Sequence, residues 1–341
     1  MEKKEILLTG GTGYIGSHTA VALIEAGFSP VIIDNLSNSS REVLDGIERT
    51  TGVKPVFYEA DLRDKDALDA IFRRHDIRGI IHFAASKYVN ESVNEPLMYY
   101  ENNLCSLINL VKKSLDYKVY PFIFSSSCTV YGEPEEVPVT EESPVLPAQS
   151  PYGNTKQIGE EILTDTARVT PLQVILLRYF NPVGAHPKAE IGELPTGVPQ
   201  NLVPYLTQTV AGIRKELSVF GNDYPTPDGT PVRDYIHVMD LAEAHVTALK
   251  RLLSGENEEA VEIFNIGTGK GNSVMEVIDT FREATGLEVP YRIAGRREGD
   301  VTAIWADTTK AEKVLKWKAK RTLKDALADA WRWEKKIRNI D

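Results

Sequence analysis

Tyr152 and Lys156 stand four residues apart in the string Ser150-Pro151-Tyr152-Gly153-Asn154-Thr155-Lys156. Ser favours the N-cap and Pro the first helical position, so the string starts a helix. Residues i and i+4 share a helix face, which points the phenol and the ammonium into one space. A cation beside a phenol stabilises the phenolate, and the helix N-terminus adds to that effect. The expectation is a phenol of lowered pKa, able to act as a general base near neutral pH. A lone Tyr-xxx-Lys is usually an amphipathic Tyr and a solvated Lys, so the spacing needs support from elsewhere in the chain. One support lies just upstream. The apolar run Pro121-Phe122-Ile123-Phe124 leads into Ser125, Ser126 and Ser127. Hydroxyls at the C-terminal end of a parallel strand lie at the ligand edge of the sheet and can donate to an oxygen where charge develops. Serines at such a place also satisfy turn backbone, and for Ser125 and Ser126 both readings stand.

The other support is at the start of the chain. Ile6-Leu7-Leu8 reads as a buried parallel strand. Gly10, Gly13 and Gly16 follow at three-residue spacing, and Thr19 to Ile24 carries helical character up to Gly27. Strand, glycine turn and helix in that order form the dinucleotide fingerprint. The glycines let the backbone approach a pyrophosphate seated on the helix N-terminus. A second apolar run, Pro30-Val31-Ile32-Ile33, ends at Asp34, 18 residues beyond Gly16. A carboxylate there accepts hydrogen bonds from an adenosine ribose. Asn35 follows it, with no Arg for a 2'-phosphate, so NAD is favoured over NADP. Asp61, after the strand-like Pro55 to Tyr58, either caps the helix that begins near Asp64 or reaches the adenine, and capping is the simpler reading.

These elements define the architecture. Short strands alternate with helical segments to about residue 180, which gives an α/β fold with a Rossmann-type doubly wound parallel sheet. From 181 to about 235 the chain turns rich in Pro and Gly and reads as loops and short elements of a lid or second lobe. Helical spacing returns from Asp240 to Leu253, and Val261 to Phe264 is strand-like. The expected division is a dinucleotide-binding domain of 1–180 plus about 236–268, and a smaller substrate-binding domain of about 181–235 plus 269–341. A last helix is expected around Lys324 to Ile337, with Trp331 and Trp333 as packing residues. At 341 residues, with 42% hydrophobic and 26% charged, the composition is that of a globular enzyme. A net charge of -10 argues against a general nucleic-acid binder. No apolar run approaches ~18 residues, so no membrane span is expected. Two cysteines, Cys105 and Cys128, make no disulfide framework, and without a secretory h-region the expected compartment is the reducing cytoplasm. The six histidines show no metal-ligand spacing, so no metal is expected.

The glycine string, Ser127 and Tyr152-xxx-Lys156 together resemble the extended short-chain dehydrogenase/reductase family. SSSCTVYG (125–132), YFNPVGAH (179–186), FGNDYPTPDGTPVRDYIHV (220–238) and GRREGD (295–300) are similar to the branch that epimerises UDP-hexoses at C4. The resemblance runs from about residue 5 to 335. It implies a tightly held NAD and the interconversion of UDP-glucose and UDP-galactose through a 4-keto sugar. Tyr152 would take the proton of the sugar's 4-hydroxyl, Lys156 would depress the phenol pKa and hold the nicotinamide ribose, and Ser127 would hydrogen-bond the reacting oxygen. Cofactor contacts implied are Gly10, Gly13, Tyr14, Ile15, Gly16, Asp34, Asn35, Asp61, Leu62, Phe83, Ala84, Lys87, Asn102, Ser125, Tyr152, Lys156 and Tyr179. Sugar-nucleotide contacts implied are Lys87, Ser127, Tyr152, Asn181, Asn201, Leu202, Phe220, Arg233, Tyr235, Arg297, Asp300 and Ile304. Guanidinium groups such as Arg233 and Arg297 suit a pyrophosphate because they present a planar fork of donors.

Two departures stand out. Ala85, Ser86, Tyr88 and Asn90 occupy places where many such epimerases carry smaller or more apolar residues. Ile304 sits where relatives vary between Tyr and a small residue that admits an N-acetyl group, so some turnover of UDP-N-acetylhexosamines is expected. The rivals on the same fold are a uronate 4-epimerase, which differs in the pocket for C6, and a 4,6-dehydratase. The latter needs an acid beside the strand-end hydroxyl, where this chain has Cys128 and Thr129. A non-catalytic dinucleotide sensor is opposed by the intact Ser127, Tyr152 and Lys156, and an NADPH-consuming reductase by Asp34. The resemblance also implies a homodimer, formed through helices around 96–114 and 151–168. Leu104, Leu107, Ile108 and Val111 lie on one helical face there, as a core face also would.

Overall fold

The short apolar runs of the first half are buried on both faces. Ile6 and Leu8 point into one core and Leu7 into the other, all three without solvent contact. Burial of such side chains is worth about 1.5–3 kcal/mol each, which is why these runs settle in the middle of a sheet covered by helices. The computed structural model describes residues 3–297 and 300–340. Glu298 and Gly299 of the GRREGD string lie outside the described residues.

Seven strands form an all-parallel sheet in the spatial order Val261–Ile266, Gln173–Tyr179, Pro121–Ser125, Ile77–His82, Glu5–Thr9, Ser29–Asp34, Val56–Glu59. This is the doubly wound sheet read from the sequence. The strand order reverses between Glu5–Thr9 and Ile77–His82, and such a switch point opens a crevice at the carboxyl ends of the strands. The helix Tyr14–Glu25 leads away from that crevice and packs on Val238–Ser254. Asp64, not Asp61, caps the helix Lys65–Arg74 by accepting from the backbone of Asp66 and Ala67, so the capping reading of Asp61 is corrected. In Ser106–Asp116, Leu107 and Val111 are buried in the core of the large lobe, whereas Ile108, like Leu104 before it, is half-buried.

The Pro/Gly-rich stretch holds more regular structure than its composition suggests: strands Asn181–Val183, Leu217–Phe220 and Val232–His237, and the helix Leu202–Val210. Val232–His237 pairs in parallel with Asn181–Val183 and Ala303–Ile304, and antiparallel with Gly271–Ser273. Leu217–Phe220 pairs in parallel with Tyr291–Ala294. Helices Leu202–Val210, Val274–Thr285 and Leu323–Arg338 enclose a separate core of Val203, Leu206, Val277, Phe281, Ala326 and Leu327. Trp331 stacks edge-on against Phe281, as a packing residue does. Asp234, wholly buried, accepts from Thr268 N at 2.9 Å, Thr268 Oγ1 at 2.6 Å, Gly269 N at 3.1 Å and Ala306 N at 3.3 Å. One carboxylate thereby ties three chain segments together directly beside Arg233.

Candidate active site

The switch point carries a cavity of about 430 Å³. The glycine turn forms its floor. Gly10 has a φ of +70°, and a Cβ there would stand 2.7 Å from Ala84 N. A Cβ on Gly16 would stand 2.1 Å from Gly10 O. The N-cap of the following helix, Gly13, offers no side chain to its first-turn amides, which leaves backbone donors for an anion. Asp34 stands on the wall at the end of its strand, accepting from Thr12 N at 3.2 Å, Leu36 N at 2.9 Å and Ser39 Oγ at 3.0 Å. Asn35 reaches Asp61 at 3.2 Å, and Arg63 pairs with Asp61 at 2.8 Å. Hydrogen bonding from Arg63 holds the Asp61 carboxyl down at about 2. Tyr14, Ile15, Leu62, Phe83, Ala84, Lys87, Asn102, Tyr152, Lys156 and Tyr179 complete the expected lining.

A second cavity, of about 620 Å³, lies in the small lobe. Asn181, Asn201, Leu202, Phe220, Arg233, Tyr235, Arg297 and Asp300 all line it, although the sequence scatters them across some 120 positions. Arg233 forms an ion pair with Asp300 and donates to Val232 O at 2.9 Å. The two cavities adjoin, since Lys87 and Tyr88 line the first and Asn90 the second, as do Tyr179 and Asn181 respectively.

Tyr152 and Lys156 line the first cavity, as Lys87, Tyr88 and Tyr179 do. Ser150 caps their helix by accepting from Gly153 N at 3.1 Å, with Pro151 in the first turn. Lys156 Nζ donates to Ser125 O at 2.8 Å and lies 5.8 Å from the centroid of the Tyr152 ring. Burial pulls the ammonium down to about 8, against the opposing charge of Glu160. The phenol corrects a sequence expectation. Burial drives the Tyr152 pKa well above its ordinary value, the nearby Tyr179 and Cys128 add to that, and a hydrogen bond with Ser127 only partly opposes it. Spacing placed the cation correctly, but the helix face it shares with the phenol is dry.

Ser125, Ser127 and Ile304 are not on the wall of either cavity. Ser125 is fully buried and donates to Tyr179 OH at 3.1 Å; Ser127 is 6% exposed and accepts from Thr129 N at 3.2 Å. Ile304 packs behind the wall with Val130, Tyr131, Val139, Phe180 and Ala306. The sequence reading missed Glu193, which accepts from Asn201 at 2.8 Å and faces Lys87 at 3.8 Å. Burial raises its pKa against the charge of Lys87. It also missed Asn38, whose side-chain oxygen accepts from Tyr88 at 3.3 Å and Thr196 at 3.0 Å. A carboxylate in a proline-rich loop and an amide in a serine-rich one carry no spacing signal.

Residues 7–330 match the family model described as GDP-mannose 4,6 dehydratase. The chain is 52% identical over 330 residues to the UDP-glucose 4-epimerase of Bacillus subtilis (strain 168), with 96% of each covered. The chain belongs to the UDP-glucose 4-epimerase family. Its fold is similar to that of the UDP-glucose 4-epimerase from Stenotrophomonas maltophila solved with bound NAD and formylated UDP-arabinopyranose, at 45% identity, full coverage of both chains and a TM-score of 0.96. It is likewise similar to the UDP-glucose 4-epimerase from Bifidobacterium longum solved with NAD+ and UDP, at 44% identity, a TM-score of 0.94, and 99% and 100% of the two chains covered. Membership in the epimerase family agrees with the residues after Ser127, where Cys128 and Thr129 supply no acid for a dehydration.

Proposed function

We propose that this chain is an NAD-dependent isomerase that interconverts UDP-glucose and UDP-galactose at C4 through a 4-keto sugar. The observation that carries this reading is a cavity lined by the glycine turn, Asp34, Tyr152 and Lys156 that adjoins a second one lined by Arg233 and Arg297. The large-lobe cavity fits a dinucleotide: Gly10 and Gly16 have no room for a side chain, and the helix beyond them presents uncapped amides. Asp34 puts a carboxylate where a 2'-phosphate would sit, which selects NAD. NAD held by Gly10, Gly13, Gly16 and Asp34 would supply a reversible hydride acceptor carrying a positive charge. The chain's own residues do the rest. Tyr152 accepts the proton of the 4-hydroxyl and later returns it, Lys156 stabilises the phenolate, and Ser127 hydrogen-bonds the phenol and the reacting oxygen. Arg233 and Arg297 face the diphosphate, with Asp300 releasing Arg233 as the anion binds.

The remaining roles follow the same division. Residues 1–180 with about 236–268 hold the dinucleotide, and about 181–235 with 269–341 hold the UDP-sugar. A homodimer is supported by Val93 and Leu97, 59% and 80% exposed on segments packed against Pro151–Val169. We place the enzyme in galactose metabolism in the cytoplasm; no described helix is long and apolar enough to cross a membrane. Ile304, smaller than Tyr, supports some turnover of UDP-N-acetylhexosamines. Purified protein incubated with UDP-galactose and no added cofactor tests the reading. UDP-glucose formation that disappears in Tyr152→Phe is the expected result; continued silence after adding NAD would sink the epimerase reading.

A further inference from the structure

Behind the reacting cluster lies an internal polar chain that the proposed chemistry does not use. Glu160 sits one helical turn beyond Lys156 and is 7% exposed. Arg178, on Gln173–Tyr179, closes a bidentate pair on it, with Nε donating to Oε1 at 3.0 Å and Nη2 to Oε2 at 2.6 Å. Ser126 Oγ donates to the same carboxylate at 2.5 Å. The remaining Nη1 of Arg178 donates to Tyr131 OH at 3.2 Å, and Tyr131 OH donates to Asn265 Oδ1 at 2.6 Å. One carboxylate therefore fastens together a strand end, the helix bearing Tyr152 and Lys156, and the next strand. Stability is a weak reason for such a pair, because apolar replacements of buried ion pairs are often as stable. Its location offers a better one. Ser126 is flanked by Ser125, whose carbonyl accepts from Lys156 Nζ at 2.8 Å, and by Ser127, whose side chain is close enough to Tyr152 to lower its pKa.

We propose that Glu160, braced by Arg178, is a positioning residue for the reaction: it locks Ser126, and through it the Ser125 carbonyl and the Ser127 hydroxyl, in register with Lys156 and Tyr152. The inference rests on the Tyr152–Lys156 reading above. It has an electrostatic consequence. Burial lowers the Lys156 pKa, and the charge of Glu160 opposes that. The other groups around Lys156 are neutral near pH 7. Burial and the Lys156 charge hold His82 down at about 3, burial pushes Tyr179 up to about 12, and burial raises Tyr152 further still. Burial works against the Arg178 charge, but Glu160 more than offsets it and keeps the guanidinium above its ordinary value. Among the described residues, Glu160 is thus the charge that opposes burial at the ammonium.

The test uses the full chain with its retained NAD and the pH profile of kcat with UDP-galactose. Glu160→Gln removes the charge that opposes burial at Lys156, so the alkaline limb moves down by about 1 pH unit and kcat falls about tenfold. Ser126→Ala touches no charge; it lowers kcat several-fold and leaves KM and the limb unchanged. An unmoved limb in Glu160→Gln overturns the proposal. If Glu160→Gln does not fold, Ser126→Ala decides, and wild-type kcat there overturns it. Lys156→Met separates the two levels. Wild-type kcat in Lys156→Met sinks the Tyr–Lys reading itself, whereas an inactive Lys156→Met beside an unmoved Glu160→Gln profile sinks only the brace.

Discussion

The floor of the 430 Å³ cavity is largely backbone, made of the Gly10–Gly16 turn and the amides of a helix start. The wall of the 620 Å³ cavity is largely side chains, drawn from segments near residues 181, 201, 220, 233 and 297. Backbone can be supplied by many sequences once the glycines are in place, so the large lobe gives a generic dinucleotide seat. Side chains converging from distant segments can be changed one at a time. In the proposed function, specificity for the sugar nucleotide therefore belongs to the small lobe and the chemistry to Tyr152 and Lys156.

The contrast breaks most sharply at Gly16. In Gly16→Val the new Cβ would lie 2.1 Å from Gly10 O and 2.8 Å from Gly11 Cα. The expected outcome is complete loss of retained NAD, read from the nucleotide released on acid precipitation. Normal NAD content in this variant would mean that the seat is not built by backbone approach.

On the small-lobe side, Arg233→Ala should leave NAD content unchanged and raise KM for UDP-galactose about 100-fold. Losing a charge-assisted contact to a diphosphate costs about 3 kcal/mol, and little of it belongs to the chemical step. A loss confined to kcat would place Arg233 at the reacting carbon instead.

Acid should separate the lobes less completely. Burial holds His18 and His82 down at about 3 and His245 at about 4, all three in the large lobe. Unfolded, each takes up a proton near 6.5, so their stabilising contribution is full above that pH. It is lost progressively as pH falls towards 4, on the order of 3 kcal/mol for each. Melting profiles should show Tm falling steeply between pH 6.5 and 4, with NAD released in the same window. A flat Tm there would mean that these imidazoles carry protons in the folded state.

The smallest effect is expected at Ile304. Because it packs behind the cavity wall, Ile304→Tyr should lower the ratio of UDP-GlcNAc to UDP-glucose turnover only several-fold. A ratio unchanged to within error would remove this position from sugar selection.

Legibility followed the same division. Gly10, Gly13, Gly16, Asp34, Tyr152 and Lys156 were readable because their functions depend on local spacing along one strand, turn or helix. Asn181, Asn201, Arg233, Arg297 and Asp300 came only through resemblance, since no local rule says that residues so far apart share a wall. Glu193 and Asn38 were unreadable because loop polar residues acquire partners only in three dimensions. The direction of the Tyr152 shift was misread for a related reason: helical spacing reveals neighbours but not dryness, and burial outweighs the cation. Ser125 and Ile304 show the limit in another form: both were read as contact residues, and both stand behind the cavity walls.

The central claim is that configuration at C4 is reversed by oxidation and reduction within one closed site. UDP-galactose carrying deuterium at C4, incubated with the enzyme in ordinary water, tests it most directly. Nuclear magnetic resonance of the UDP-glucose formed should show the deuterium still at C4, with no label in the solvent. Replacement of that deuterium by solvent hydrogen would mean that C4 loses a proton to water, and the account would be wrong.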